Sequence, residues 1–329
     1  MVIDAHAHII VPEATAEAPA DGDWRPRVTW TGDGTLIEHR GRALRSAVRP
    51  FVEIEAILAA QGPAGVDRLV LSPWVNLAGY DLPAEEGLRV SRVQNEALAR
   101  LAQAHPGRVS ALGNVPLQEP ELAARELEAV MALPGLGGVQ IATMVRGVYL
   151  GDPRFEPFWA AAAALGALVF IHPTMGGLSV PPFAEYYMQN TVGNPLETAI
   201  TAAHMVMAGV LERHPGLRVL LAHGGGALLA LRGRLRHAHS FHPQARARLQ
   251  EPPDVSIGRF YFDTVTHDAE LLRQLVAFAG AERVLLGSDY PFDMGAARPA
   301  EIVRGLELPP ADEALILGGN AARLLGLAA

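Results

Sequence analysis

A chain of 329 residues with 50% hydrophobic content can bury a sizeable core, and α/β barrels of this length remain single domains. A net charge of -8 provides no basic surface for phosphates, which argues against nucleic acid or an anionic membrane as partner and for a small-molecule substrate. Cys is absent and all 27 basic residues are Arg, which excludes disulfides, thiolate ligands, Schiff-base chemistry and a two-metal site bridged by a carboxylated lysine.

The chain opens on Met1–Ile10, where Asp4, His6 and His8 occupy the positions a signal peptide fills with a basic end and an apolar run. No apolar stretch reaches the length of a membrane span, so a soluble, cytoplasmic protein is expected. Val2–His6 is the first predicted strand. Residues 11–50 carry turn signals at Gly32-Asp33-Gly34 and Arg40-Gly41-Arg42 between alternating segments, which predicts a small β flap inserted after strand one. Arg68–Ser72 is the second strand, with Trp74 just beyond it. His105-Pro106-Gly107 then stops a helix before a third strand at Val109–Leu112.

A helix over Glu121–Met131 leads to strand four at Gly138–Ile141, and a helix over Phe155–Leu165 to strand five at Leu168–His172. Residues 174–195 combine Gly176, Gly177, Pro181 and Pro182 with Phe183, Tyr186 and Tyr187, and read as a long loop. One helix is expected over Leu196–Glu212, ended by His214-Pro215-Gly216 before strand six at Val219–His223. Strand seven is Phe260–Asp263, a helix follows at Glu270–Phe278, and strand eight is Val284–Asp289 with Phe292 beyond it. Eight apolar strands separated by helices predict an α/β fold, a (β/α)8 TIM barrel forming one domain over residues 1–329.

The chemistry gathers where these strands end. His6 and His8 lie two apart on a strand and point to one face. His172, His223 and Asp289 end three other strands, and in a barrel such ends converge on one mouth. Imidazoles with a carboxylate and no thiolate suit one divalent metal ion; Zn²⁺ fits best, and Mn²⁺ or Fe²⁺ also suit. Trp74 and Phe292 stand where they would wall a pocket for a flat ligand. His204, among Ala202, Ala203 and Val206, reads as a packed histidine. His237 and His239 read as supports of their helix or of a dimer contact, and Asp268 beside His267 as a helix cap.

From Asp4-Ala5-His6-Ala7-His8 through Ile171-His172-Pro173, His223-Gly224-Gly225-Gly226 and Ser288-Asp289-Tyr290-Pro291-Phe292 to Gly319-Asn320-Ala321, the chain resembles the amidohydrolase superfamily, in its aminocarboxymuconate-semialdehyde decarboxylase branch. The resemblance implies that His6, His8, His172 and Asp289 bind one metal and that His223 is the acid/base residue, with Asp289 also taking part in catalysis. It further implies a homodimer, and an arginine at the end of the insertion, Arg45 or Arg49, that meets a substrate carboxylate. Two positions depart from the branch: His242 stands where it places a second substrate-binding arginine, lent by the neighbouring subunit, and Asn190 where it places an aromatic residue. The function expected from the resemblance is a metal-dependent nonoxidative decarboxylase of a small unsaturated or aromatic carboxylic acid. The alternative is a hydrolase or hydratase that uses metal-bound hydroxide.

Overall fold

The computed structural model describes residues 1–15, 23–31, 34–46, 51–174 and 177–327. Its centre is an eight-stranded sheet of β1 (Ile3–Ile9), β2 (Arg68–Pro73), β3 (Val109–Gly113), β4 (Leu136–Ala142), β5 (Leu168–His172), β6 (Arg218–Leu221), β7 (Tyr261–Asp263) and β8 (Val284–Leu285). The strands pair in that order and all in parallel. Beyond β8 the chain continues alongside β1, with Ala5 donating to the Leu286 carbonyl at 2.8 Å and His8 to the Tyr290 carbonyl at 2.7 Å, which brings the sheet round into a barrel. All eight predicted strands are present; the last has a shorter ladder than Val284–Asp289.

Side-chain alternation sorts the core into two layers, as the period of 2 requires. Val70, Leu112, Leu168, Phe170, Leu220, Tyr261 and Leu285 fill the barrel interior. Their neighbours Leu71, Ala111, Val169, Leu221, Phe262 and Val284 pack outward against the helices. In β1 the parity changes. Ile3 and Ala5 belong to the interior layer but Ala7 and Ile9 to the outer one, because the β1–β2 register shifts between Asp4 and Ala7. This bulge turns His6 and His8 inward, and the His6 ring lies 4.8 Å from Phe170.

The ring helices are α1 (Ile54–Ala64), α2 (Ala84–Ala104), α3 (Pro120–Ala132), α4 (Glu156–Leu165), α5 (Asn194–Met207), α6 (Leu228–Phe241) and α7 (Ala269–Ala279), followed by short helical segments from Pro299 to Leu325. Asp268 caps α7 by accepting from the Leu271 N–H at 2.7 Å. The helix expected over Leu196–Glu212 is broken instead: Gly209 takes a φ of 71°, and a separate turn runs over Val210–Arg213. His105 and His214 sit at helix ends, as expected. No helix among the described residues is long and apolar enough to cross a membrane.

Within residues 11–50, Arg27–Thr31, Gly34–His39 and Arg42–Ser46 form a three-stranded antiparallel sheet. Arg40 and Gly41 both have positive φ (50° and 73°), which matches the twist of a two-residue hairpin turn. Ile37 at 0% exposure ties this sheet to the main core. In the loop before α5, the Tyr187 hydroxyl donates to Asp293 Oδ1 at 2.8 Å, and Gln189 to the Leu178 carbonyl at 3.0 Å.

Candidate metal centre

The barrel delivers its polar side chains to one end. Phe170 points into the interior, so His172 two residues later does the same at the end of β5. His223 follows β6 in a turn of positive φ (57°), and Asp289 follows β8 with a φ of 60°. Such backbone is costly for residues with a Cβ and persists where surrounding contacts over-determine it. At Asp289 those contacts are its N–H to the His6 carbonyl at 2.8 Å and the preceding Ser288, whose hydroxyl donates to Asp4 Oδ2 at 2.5 Å and whose N–H donates to Asp4 Oδ1 at 3.1 Å. Burial raises Asp4 to about 6 in spite of its hydrogen bonds from Ser288 and the His6 N–H.

Asp289 is the hub. Its Oδ1 lies 3.0 Å from His6 Nε2, 3.2 Å from His8 Nε2 and 3.7 Å from His172 Nε2, and its Oδ2 lies 3.4 Å from His223 Nε2. One ligating atom each from His6, His172, His223 and Asp289 lie within 4.8 Å of one another. His8 stands outside that tightest group, yet its ring is 5.0 Å from His6 and 4.8 Å from His172.

A divalent cation fits this donor set. The buried Nε2 atoms of His6 and His172 have no hydrogen-bond partner among the described residues, an arrangement that native proteins avoid unless the atom serves another purpose. His172 Nδ1 donates to the Pro173 carbonyl at 2.8 Å, which leaves the Nε2 lone pair facing Asp289. Burial lowers His172 to about 3 and also lowers His8, favouring neutral imidazoles. For His6 burial acts in the same direction, but Asp289 and Asp263 outweigh it and push the ring up to about 10. Asp289, opposed by its own burial, is held well below the usual carboxylate range by His6, His172 and His223.

Two cavities flank the centre. One of 330 Å³ is lined by His223 and Asp289 together with Asn190, Thr191, His267 and Met294. The other, of 460 Å³, lies between the three-stranded sheet and the barrel mouth, with Trp74, Tyr80, Arg42 and Thr174 among its walls. Trp74 is buried there, and Phe292 sets its ring 5.2 Å from both His8 and Phe51. His242 caps the end of α6, where Nδ1 accepts from the Gln244 N–H at 3.3 Å; it is exposed and does not line the cavity that holds His223. The Arg45 side chain and all of Arg49 lie outside the described residues. His204 packs beside Tyr149, and His239 donates to the Leu249 carbonyl at 2.9 Å in support of α6.

Sequence reasoning missed Asp263. This fully buried carboxylate accepts from His6 Nδ1 at 2.5 Å and from the His223 N–H at 2.9 Å. Its place at the end of the seventh predicted strand was the available signal, the same one that marks His172 and Asp289.

The sequence profile described as Amidohydrolase matches residues 3–327, and the chain belongs to that family. Within the family it is similar to the 2-amino-3-carboxymuconate-6-semialdehyde decarboxylase of Dictyostelium discoideum. The two are 36% identical over 265 residues, 80% of this chain and 73% of the relative, in agreement with the branch read from the motifs. Among solved structures, 5-carboxyvanillate decarboxylase from Sphingomonas paucimobilis superposes with a TM-score of 0.81 at 25% identity, over 99% of each chain. A dihydroxybenzoic acid decarboxylase from Polaromonas, solved with bound manganese and 2-nitroresorcinol, shares the fold at a TM-score of 0.78 and 20% identity, over 99% of this chain and 96% of that one.

Proposed function

We propose that this protein is a metal-dependent nonoxidative decarboxylase of a small unsaturated or aromatic carboxylic acid. The observation that carries the reading is the convergence of His6, His172, His223 and Asp289 at the mouth of a barrel of the amidohydrolase family whose relatives include decarboxylases of such acids. His6, His8, His172 and Asp289 hold one divalent cation in this reading, with Zn²⁺ our first choice and Mn²⁺ or Fe²⁺ as alternatives. Bound there, the ion would supply Lewis-acid chemistry to an oxygen of the substrate.

The chain's own residues do the rest. His223 lines the 330 Å³ cavity and delivers the proton to the carbon that has lost its carboxylate. Asp289 spans the ligands and the acid, with one oxygen toward His6 and the other toward His223. Trp74 and Phe292 flank a planar substrate, and an arginine at the end of the insertion, Arg45 or Arg49, meets its carboxylate. The three-stranded sheet serves as a flap over the mouth. We read the active species as a cytoplasmic homodimer in which His242 serves the neighbouring subunit.

The test is to incubate metal-loaded protein with a panel of hydroxybenzoates, carboxymuconate semialdehydes, lactones and amides. Release of carbon dioxide that stops on chelation and returns with one equivalent of divalent metal supports the reading. Hydrolysis products without carbon dioxide would overturn it.

A further inference from the structure

We infer that Asp263 is the positioning residue of this centre, a single carboxylate that fixes the tautomer of His6 and the placement of His223 together, and that the turn opening on His223-Gly224 is folded around it through the N–H groups of those two residues. The inference rests on the metal-centre reading above and adds to it the question of what holds the centre in register. Asp263 ends β7 at 0% exposure. Its Oδ2 accepts from His6 Nδ1 at 2.5 Å and the His223 N–H at 2.9 Å; its Oδ1 accepts from the Gly224 N–H at 2.7 Å and the Val265 N–H at 3.0 Å. An ionised carboxylate offers about four lone-pair sites, and these donors occupy them. Asp263 therefore has no oxygen left for substrate or metal, and acts through its neighbours.

Two consequences follow for those neighbours. A carboxylate on Nδ1 makes that nitrogen the one that keeps hydrogen when the ring gives up a proton to bind a cation, so Nε2, 3.0 Å from Asp289 Oδ1, is the atom His6 offers as ligand. On the other side, His223, Gly224, Gly225 and Gly226 all take positive φ (57°, 59°, 77° and 59°), a tight run that turns the first two N–H groups to Asp263, while those of Gly225 and Gly226 donate to the Ala222 and His223 carbonyls at 3.0 and 2.9 Å. Each glycine is also required by contact. A Cβ on Gly224 would stand 2.7 Å from Thr266 Cγ2, one on Gly225 would stand 2.9 Å from the Phe262 ring, and one on Gly226 would run into the Pro195 carbonyl. The anion that these two N–H groups hold is the Asp263 carboxylate, and holding it aims the His223 ring at Asp289.

Asp263→Asn keeps the shape, loses one acceptor oxygen and sets an NH₂ against N–H donors. We expect the metal dissociation constant, measured by chelator competition, to rise about 10–100-fold, the usual effect of losing such a partner. With metal restored to saturation, kcat should remain depressed while KM changes little. Gly224→Ala sets a Cβ against Thr266 and disturbs one N–H on Asp263 Oδ1 while Oδ2 keeps His6 Nδ1, so it should lower kcat by more than it weakens metal binding. Rescue of metal affinity by Asp263→Glu would point to the carboxylate itself, whereas Glu126→Gln, a buried acid elsewhere, should leave the dissociation constant unchanged. Should the Asn variant not fold, ¹⁵N NMR of histidine-labelled, zinc-loaded wild type reads the tautomer directly, with hydrogen expected on His6 Nδ1. A His6 ring protonated on Nε2, or an Asp263→Asn protein with wild-type metal affinity, overturns the inference. Both measurements are independent of turnover, so failure to find a decarboxylated substrate would count against the proposed reaction and leave this result standing.

Discussion

Replacing His223 with alanine separates proton transfer from cation binding. Its Nε2 lies 3.4 Å from Asp289 Oδ2, and its Nδ1 has no hydrogen-bond partner among the described residues. The variant is expected to keep its metal and lose about 10²–10⁴-fold in kcat, the range contributed by a positioned acid or base. Elemental analysis beside turnover checks this. If His223→Ala loses the metal while His8→Ala retains it, the ion belongs to the tight group of His6, His172, His223 and Asp289, and the roles of His8 and His223 exchange. Glu197, away from the centre, gives a prediction about pH. It is fully buried, with Oε1 accepting from the Thr143 hydroxyl at 2.5 Å. Burial raises its pKa above the usual 4.5 against the Thr143 and Leu178 hydrogen bonds, and Tyr149 is the titratable neighbour that feels its charge. An acid whose folded pKa is raised contributes stability below its unfolded pKa and loses it as pH climbs through the folded value. Glu197→Gln removes that ionisation, so its melting temperature should gain on wild type as pH rises from acid to alkaline. A difference that is flat with pH would refute this.

At the scale of elements, Gly138 shows how closely the strands are fitted. It pairs with Leu168 across β4 and β5, and a Cβ there would stand 2.7 Å from the Leu168 carbonyl carbon and overlap its oxygen. Gly138→Ala must push neighbouring backbones apart rather than move a side chain, so a loss of about 3 kcal/mol or more is expected, at the upper end for overpacking. An unchanged urea midpoint would show that the barrel yields more easily than this. The strands themselves were legible because buried parallel strands are unbroken apolar runs between glycine- and proline-marked helix ends. His172, His223 and Asp289 were legible because each follows such a run. The bulge in β1 was not, since it arises from pairing with β2 and leaves no mark on Asp4-Ala5-His6-Ala7-His8; period 2 carried on from Ile3 would turn both histidines outward. The break after α5 was hidden because the apolar period continues across Ala208 and Gly209. Asp263 was overlooked because an acid before Thr264-Val265-Thr266 also suits a solvated strand end, and its role emerges once β7 lies beside the turn after β6 and within reach of His6.

Among the described residues, α6 exposes more apolar surface than its single buried residue covers. Leu228 is the buried residue of α6, while Leu231 is 36% and Phe241 58% exposed. Leu231, Leu235, Ala238 and Phe241 recur at four- and three-residue spacings along a groove of 510 Å³. An apolar stripe of this kind on an acidic chain suits a second copy, and His242 follows directly from Phe241. We therefore expect sedimentation equilibrium to give a dimer at micromolar concentration, and Leu231→Asp with Phe241→Asp to give a monomer that still binds metal. His242 makes the link to substrate choice. Arginine holds a carboxylate with a planar, permanently charged fork of donors, whereas histidine offers fewer donors and no such fork. The wild type should thus be slow on 2-amino-3-carboxymuconate 6-semialdehyde, and His242→Arg should raise kcat/KM for it by about 10-fold or more, since a buried charged pair is worth on the order of 2–5 kcal/mol. The gain should disappear when the same substitution is placed in the monomeric variant if, as proposed, the residue serves the neighbouring site. A gain that persists in the monomer would place His242 in its own subunit's site, and a proficient wild type indifferent to the substitution would remove it from the substrate's surroundings altogether.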